Sequence, residues 1–167
     1  VRPYAIEDAG ALLAAVDESR DRLAPWMLWA PAHRSLDHSR MFIRKAQAQW
    51  LLREDLPMAI CERQSGRFLG GTGLHRIDWA VRRFEIGYWI RPEAAGQGHV
   101  SEAVLLLAAM AFDRLAARRV EIRCDPRNIK SRGVAERCGF ELEGILRNQT
   151  LGVDGHPRNT CIYSRVA

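Results

Sequence analysis

The sequence predicts an α+β domain: a mixed, mostly antiparallel central sheet flanked by helices. Three observations point there. Residues 57–62, 68–77 and 82–90 read as consecutive strands broken by turn residues, notably Gln64-Ser65-Gly66, which makes an antiparallel meander. A single helical crossover then joins the strand ending at Ile90 to one over residues 119–124, long enough to leave those two as parallel neighbours. No linker, repeat or low-complexity tract interrupts the 167 residues, so one domain over residues 1–167 is expected.

Taken in order, residues 2–4 read as the end of a first strand. The helix that follows turns Ile6, Leu12, Leu13 and Val16 inward and carries Glu7 and Asp8 in its first turn, where negative charge suits the helix dipole. Residues 22–31 crowd Trp26, Met27, Leu28 and Trp29 between Pro25 and Pro31. They read either as a short buried helix or as the aromatic wall of a substrate cleft. Ser35 caps a second helix over residues 36–53, with Met41, Ile43, Ala46, Trp50 and Leu51 apolar. After the meander, Val100, Ala103, Val104, Leu107, Ala108, Ala111 and Leu115 recur at the spacing of one helical face. A short helix over residues 128–138, with Val134 inward, closes at Gly139, and strands over residues 140–147 and 161–166 end the chain.

Composition excludes several classes. Hydrophobic content of 47% and charged content of 27% are those of a soluble globular protein. No apolar run approaches the ~20 residues that span a bilayer, and no leader pattern is present, so a cytoplasmic protein without a membrane partner is expected. The net charge of +5 is nearly all arginine, Lys45 and Lys130 being the only lysines. Those arginines are spread along the chain, which suits a small anionic partner better than direct nucleic-acid binding. Cys61, Cys124, Cys138 and Cys161 have no metal-like spacing with histidine and read as core thiols, so no metal is expected.

The stretch from Arg91 to Ser101 carries the chemistry. It follows a strand, contains Gly96 and Gly98 and opens a helix, a combination that makes an anion site: the first helical N–H groups lack internal partners and glycine admits close backbone approach. The alternative is that the two glycines only shape the turn. A Walker loop is excluded because no lysine follows. Gly96, Gly98 and Ser101, with Glu121 further on, come near a dinucleotide fingerprint, but that fold needs several βαβ units and this chain has one. On the preceding strand, Glu85, Gly87 and Trp89 face one side and Phe84, Ile86 and Tyr88 the other. A carboxylate on a central strand is costly unless paired or useful. Glu85 is therefore either bridged to Arg82, Arg83 or another arginine, or serves as a base.

With these residues assembled, the chain resembles the GNAT superfamily of acetyl-CoA-dependent N-acetyltransferases. It looks most like the RimJ/RimL branch, which acetylates α-amino groups of ribosomal proteins. The resemblance runs through Leu23 to Trp29, Glu85 to Ile90, Ala95 to Val100, Asn128 to Ser131, Gly139 to Gly144 with Arg147, and Tyr163-Ser164. It implies the GNAT fold, with a splayed parallel strand pair at the sheet's centre, and acetyl-CoA as cofactor. Gln97, Gly98, His99, Val100 and Ser101 would hold its pyrophosphate, and Trp89, Ile90, Asn128 and Ser131 its pantetheine arm. It further implies attack by a primary amine, with Glu85 as base and Ser131 or water protonating the departing sulfur. Asn128 and Ser131 are equally ordinary helix-start residues. Trp26, Trp29, Glu85 and Arg147 would shape the acceptor site, with Asp154 near its rim.

The acceptor implied is a protein N-terminus. A small amine (amino acid, polyamine or antibiotic) is the alternative, as is a non-catalytic acetyl-CoA-binding or ribosome-docking module. Relatives often form homodimers. Four positions depart from the family pattern. Ala95 removes a loop-bracing side chain and Val100 narrows the approach to the loop. Ala135 stands where many relatives place a tyrosine acid, and Asn159 where an acid is common.

Overall fold

The computed structural model describes Val1–Ala167. After a two-residue strand β1 (Arg2–Pro3), helices α1 (Ala9–Leu23) and α2 (Leu36–Leu52) precede a meander of β2 (Leu56–Cys61), β3 (Phe68–Asp78) and β4 (Arg83–Ile90). Helix α3 (His99–Leu115) leads to β5 (Arg119–Cys124), and α4 (Ile129–Arg137) to the hairpin β6 (Glu141–Leu151) and β7 (Pro157–Val166). All seven strands join one sheet in the order β1-β2-β3-β4-β5-β7-β6. Every pairing is antiparallel except β4 with β5.

Each face of the sheet is covered by helices because the strands alternate apolar side chains to both sides. Leu74, Phe84, Ile86, Val120, Ile122 and Tyr163 pack with Val104, Leu107 and Ala111 of α3 in the larger core. On the other face Tyr4, Ala59 and Phe68 pack with Leu12 and Val16 of α1 and Ile43 and Ala46 of α2. Full burial of each such large side chain is worth roughly 1.5–3 kcal/mol. Side-chain caps set the starts of α2 and α4 on the expected residues: Ser35 Oγ accepts from His38 N at 3.2 Å and Asn128 Oδ1 from Ser131 N at 3.1 Å.

The expected elements are present, with five local corrections. Ile6 lies in a 3-10 turn ahead of α1, off its buried stripe, and is exposed. Residues 24–35 form turns rather than a buried helix, leaving Trp26 half-buried and Trp29 exposed. Met41 and Leu51 also face solvent, since α2 buries only the narrow stripe through Ile43 and Ala46. On α4 the fully buried residue is Ala135, with Val134 only partly covered. The last hairpin is longer than expected because it continues through an irregularity between Leu146 and Thr150. There Asn148 takes φ 49° and donates its N–H to Asn159 Oδ1 at 3.0 Å, so Asn159 serves this bulge.

Cys124, Cys138 and Cys161 are buried, Cys61 is half-buried, and all four thiols are free. No helix is long and apolar enough to cross a membrane.

Candidate active site

The parallel register of β4 and β5 holds for only three pairs, Arg83 with Arg119, Phe84 with Val120 and Glu85 with Glu121. Beyond Glu85 the two strands part: β4 runs on to Ile90 beside β3, while Ile122 to Cys124 stay with β7. The main chain from Ile86 to Ile90 therefore has no strand partner on its β5 side, and a wedge opens there.

At the mouth of that wedge stands the start of α3. Gly98 is its N-cap, with φ 88° and no side-chain cap, and Gly96 has φ 80°. The first helical bond closes from Glu102 N to Gly98 O at 2.9 Å, so the amides of His99, Val100 and Ser101 have no acceptor within the helix. Together with the dipole they favour a diphosphate. With only a methyl group at Ala95, the loop is braced by its other side chains. Gln97 Nε2 donates to Glu93 O at 2.6 Å, and the Glu93 carboxylate meets Arg67 and, at 3.3 Å, Arg91. The side chain of Gln97 is thus turned into its own loop, leaving its amide as the part free to meet a ligand. The side chain of Val100 packs against the larger core, so its bulk is taken up there instead of in the loop.

Across the wedge, Ser131 Oγ is 3.0 Å from Tyr88 Oη, which also lies 3.0 Å from the Ser131 carbonyl. Burial pushes the Tyr88 hydroxyl well above the ordinary tyrosine value and the Cys124 thiol, beside Ser131, up to about 11, so both stay protonated. Asn128 caps α4, as the plainer reading had it, and holds Ser131 at the wedge.

Glu85 sits where the ladder ends. Its side chain is 16% exposed, and Oε2 lies 3.4 Å from both Arg76 Nη1 and Arg123 Nε. Neither contact is a hydrogen bond, so a buried carboxylate oxygen is left without one. Burial pushes its carboxyl pKa up, and Arg76, Arg123 and His75 only partly oppose this. The arginines that bridge Glu85 are thus Arg76 and Arg123, not its sequence neighbours Arg82 and Arg83. On the same sheet face Trp89 meets Trp29 edge-on, ring centres 6.0 Å apart.

Two expected members do not join this cluster. Trp26 instead lines an open cavity of ≈ 230 Å³ with Arg127, Asp154 and Arg158. Arg147 stands exposed on β6, with β7 between it and β5. Sequence reasoning gave no role to Tyr88, Arg76 or Arg123. The Glu-Ile-Gly-Tyr-Trp run was the one signal for Tyr88.

Residues 1–141 match the family model described as the acetyltransferase (GNAT) domain. The chain belongs to the GNAT acetyltransferase family. Among GNAT relatives is YdaF of Bacillus subtilis (strain 168), whose name assigns it provisionally to the ribosomal N-acetyltransferases. It is 33% identical over 159 residues, covering 95% of this chain and 85% of YdaF. The GNAT structure of the microcin C7 self-immunity acetyltransferase MccE, in complex with acetyl-CoA and AMP, superposes with TM-score 0.91. That match has 25% identity and covers 99% of this chain and 90% of that one. Mycobacterium smegmatis RimJ, in complex with CoA-disulfide, gives TM-score 0.88 at 26% identity, covering 99% and 80%. The wedge, the uncapped helix start and the mostly antiparallel sheet agree with that membership.

Proposed function

We propose that this GNAT enzyme transfers the acetyl group of acetyl-CoA to a primary amine, most directly the α-amine of a protein N-terminus. The observation that carries the reading is the wedge itself, flanked by an uncapped helix start on one side and an under-bonded carboxylate on the other. The amides of Gln97 to Ser101 hold the pyrophosphate, and the free edge of β4 at Trp89 and Ile90, with Asn128 and Ser131, lines the pantetheine arm. When bound, acetyl-CoA supplies an acetyl thioester as electrophile.

This chain's residues then position and move protons. Glu85 takes a proton from the acceptor nitrogen as the N–C bond forms, directly or through one water. Ser131, tied to the protonated Tyr88 hydroxyl, or a water returns one to the departing sulfur. Trp29 and Trp89 wall the acceptor's approach. An α-amine, with a reference pKa of about 7.7–8.0, asks less of a base than a lysine near 10.4. That, with the ribosomal name of YdaF, favours a protein N-terminus. The free thiols suit a cytoplasmic setting, and Leu142, Ile145, Leu146 and Leu151, exposed along edge strand β6, suit a homodimer.

The test is an acceptor screen with purified protein, following coenzyme A release across ribosomal-protein N-terminal peptides and small amines. Peptide-dependent release supports the reading, and release with small amines alone shifts the acceptor class, as the MccE likeness would allow. No release with any acceptor leaves an acetyl-CoA-binding or ribosome-docking module. Glu85→Gln should cut turnover about 10²-fold with acetyl-CoA affinity nearly intact.

A further inference from the structure

The sheet face that carries Glu85 also carries a histidine that the reading above leaves idle. His75 on β3 is the direct register partner of Glu85, and the next same-face pair along the ladder is Gly73 with Gly87. The imidazole lies over that bare pair. A Cβ on Gly73 would stand 2.7 Å from the Leu56 carbonyl oxygen, 2.8 Å from the ring's Cε1 and 2.9 Å from Nε2, and one on Gly87 3.0 Å from Cδ2 and 3.2 Å from Nε2. Two missing side chains thus make the ring's berth. At its other edge Nδ1 is 2.7 Å from Asp55 Oδ1. A carboxylate only accepts, so it fixes the proton on Nδ1 and leaves the Nε2 lone pair bare. Nε2 has no hydrogen-bond partner in the protein, and the His75 side chain is 31% exposed. A histidine buried for packing alone would need neither the acidic partner nor the cleared floor.

An α-ammonium must lose two protons to become an amide, and they differ in acidity. The first leaves a nitrogen that ordinarily titrates at about 7.7–8.0, and must be gone before attack; imidazole is the side chain of matching strength near neutrality. The second leaves as the N–C bond forms and the nitrogen loses its basicity, so a carboxylate suffices. We propose that His75, held by Asp55, takes the first proton from the acceptor ammonium, leaving Glu85 to take the second. His75 is then a catalytic residue and Asp55 a positioning one, and the assignment rests on the N-acetyltransferase reading above. The N–H bond breaks with its pair kept on nitrogen. That pair forms the N–C bond to the acetyl carbon while the C–S bond breaks and sulfur leaves with its electrons. Of the two protons released, one is balanced by protonation at sulfur and the other reaches solvent. The charged groups about the ring are Asp55 from the segment before β2 and Glu85 from β4, with Arg76 and Arg123 beyond Glu85.

The experiment compares wild type, His75→Gln, Asp55→Asn and Gly87→Ala from pH 6 to 9 on an N-terminal peptide. Gly87→Ala meets only the ring itself, so it tests the berth without removing the histidine. At the acid end His75→Gln should lose about 10²-fold in kcat/KM. The deficit should shrink toward pH 9, where the peptide amine sheds its own proton, while the acetyl-CoA dissociation constant stays within twofold. Asp55→Asn and Gly87→Ala should show the same pH-dependent deficit, smaller in size. A deficit equal at every pH, or none, overturns the assignment. Independently of turnover, 15N NMR of the free protein at pH 8 should find the His75 proton on Nδ1, and find it moved in Asp55→Asn; a wild-type proton on Nε2 overturns the assignment as well. Wild-type protein that releases no coenzyme A from any acceptor sinks the transferase reading itself, a result the other outcomes do not mimic.

Discussion

Glu85 and Glu121 are partners across the last rung of the parallel ladder, and their carboxylates are treated in opposite ways. Glu121 receives Arg119 Nε at 2.6 Å and Arg123 Nε at 3.0 Å. Burial works to raise its pKa, but those two arginines win and hold it below the usual carboxylate range. Glu85 shares Arg123 at 3.4 Å and gains no hydrogen bond, so burial wins and its pKa goes up. One carboxylate is a structural strut; its neighbour is kept short of partners.

The sign of that difference predicts a stability effect. A carboxyl whose folded pKa lies above its unfolded value binds protons more tightly in the folded state. Its penalty is therefore absent in acid and appears as pH rises through the folded value. Glu85→Gln removes the penalty, so its Tm should exceed wild type at pH 7 and converge with it near pH 4. For this chain length each kcal/mol is worth about 2–4 °C. Paired calorimetric scans at the two pH values check it, and a variant less stable at both would show Glu85 to be a strut as well. Activity should fall as stability rises, the expected trade at a catalytic position.

The Tyr88–Ser131 contact is the side-chain link between β4 and α4 across the wedge. With Ala135 fully buried and unable to donate a proton, this hydroxyl pair stands nearest the departing sulfur in the reading above. Ser131→Ala should lower kcat by about 10²-fold, the low end of general acid catalysis, with little change in acetyl-CoA affinity. Tyr88→Phe should lower it less, because Ser131 keeps its own hydroxyl. A more acidic leaving thiol should restore part of the rate in both variants. Full activity in Ser131→Ala would assign the proton to water.

Most of the fold was legible because periodicity and turn chemistry agree along the chain. The face of α3, the Ser35 and Asn128 caps and the single crossover each follow from local residue choice. The glycine loop could be read for the same reason, since Gly96 and Gly98 announce backbone that other residues resist. Glu85 and Ser131 stood out by residue type and position, but the groups placed around Glu85 could not be read. Whether His75 faces Glu85 depends on register, and β3 and β4 slip between His75 and Asp78, where Arg76 adopts φ 46°. A one-residue change there would send His75 to the opposite face. The Trp29–Trp89 contact was hidden as well, because it depends on the path of a loop with no periodic signal.

The Gly98 position separates backbone strain from steric fit. At φ 88° an alanine Cβ would meet nothing within 4 Å, so Gly98→Ala is strained but not obstructed. That conformation costs an L-residue roughly 1–2 kcal/mol. The variant should either melt lower by that amount or shift the start of α3 and turn its amides off the diphosphate. In the second case acetyl-CoA affinity should fall, on the order of tenfold if the cost is paid on binding, whereas in the first it stays near wild type. Isothermal titration calorimetry checks this, with Gly10→Ala on the exposed side of α1 as a control that leaves binding alone.

Trp29 and Trp26 lie in one turn segment, yet the structure sends them to different places, so their truncations should separate. Trp29, 41% exposed, packs edge-on against Trp89, which in turn leans on Phe68. An aromatic pair of this geometry is worth about 0.5–1.5 kcal/mol beyond the area it covers, and an acceptor sliding along Trp89 would extend the stack. Trp29→Ala should therefore raise the acceptor KM by roughly tenfold, with acetyl-CoA affinity and the rate at saturating acceptor little changed. Trp26 faces the cavity shared by Arg127, Asp154 and Arg158, apart from Glu85. Its truncation should move KM only for acceptors long enough to reach that cavity. Steady-state kinetics on N-terminal peptides of increasing length distinguish the two: an effect of Trp26→Ala that grows with peptide length places the cavity downstream of the reacting amine, whereas a length-independent effect equal to that of Trp29→Ala would put both tryptophans on the same subsite.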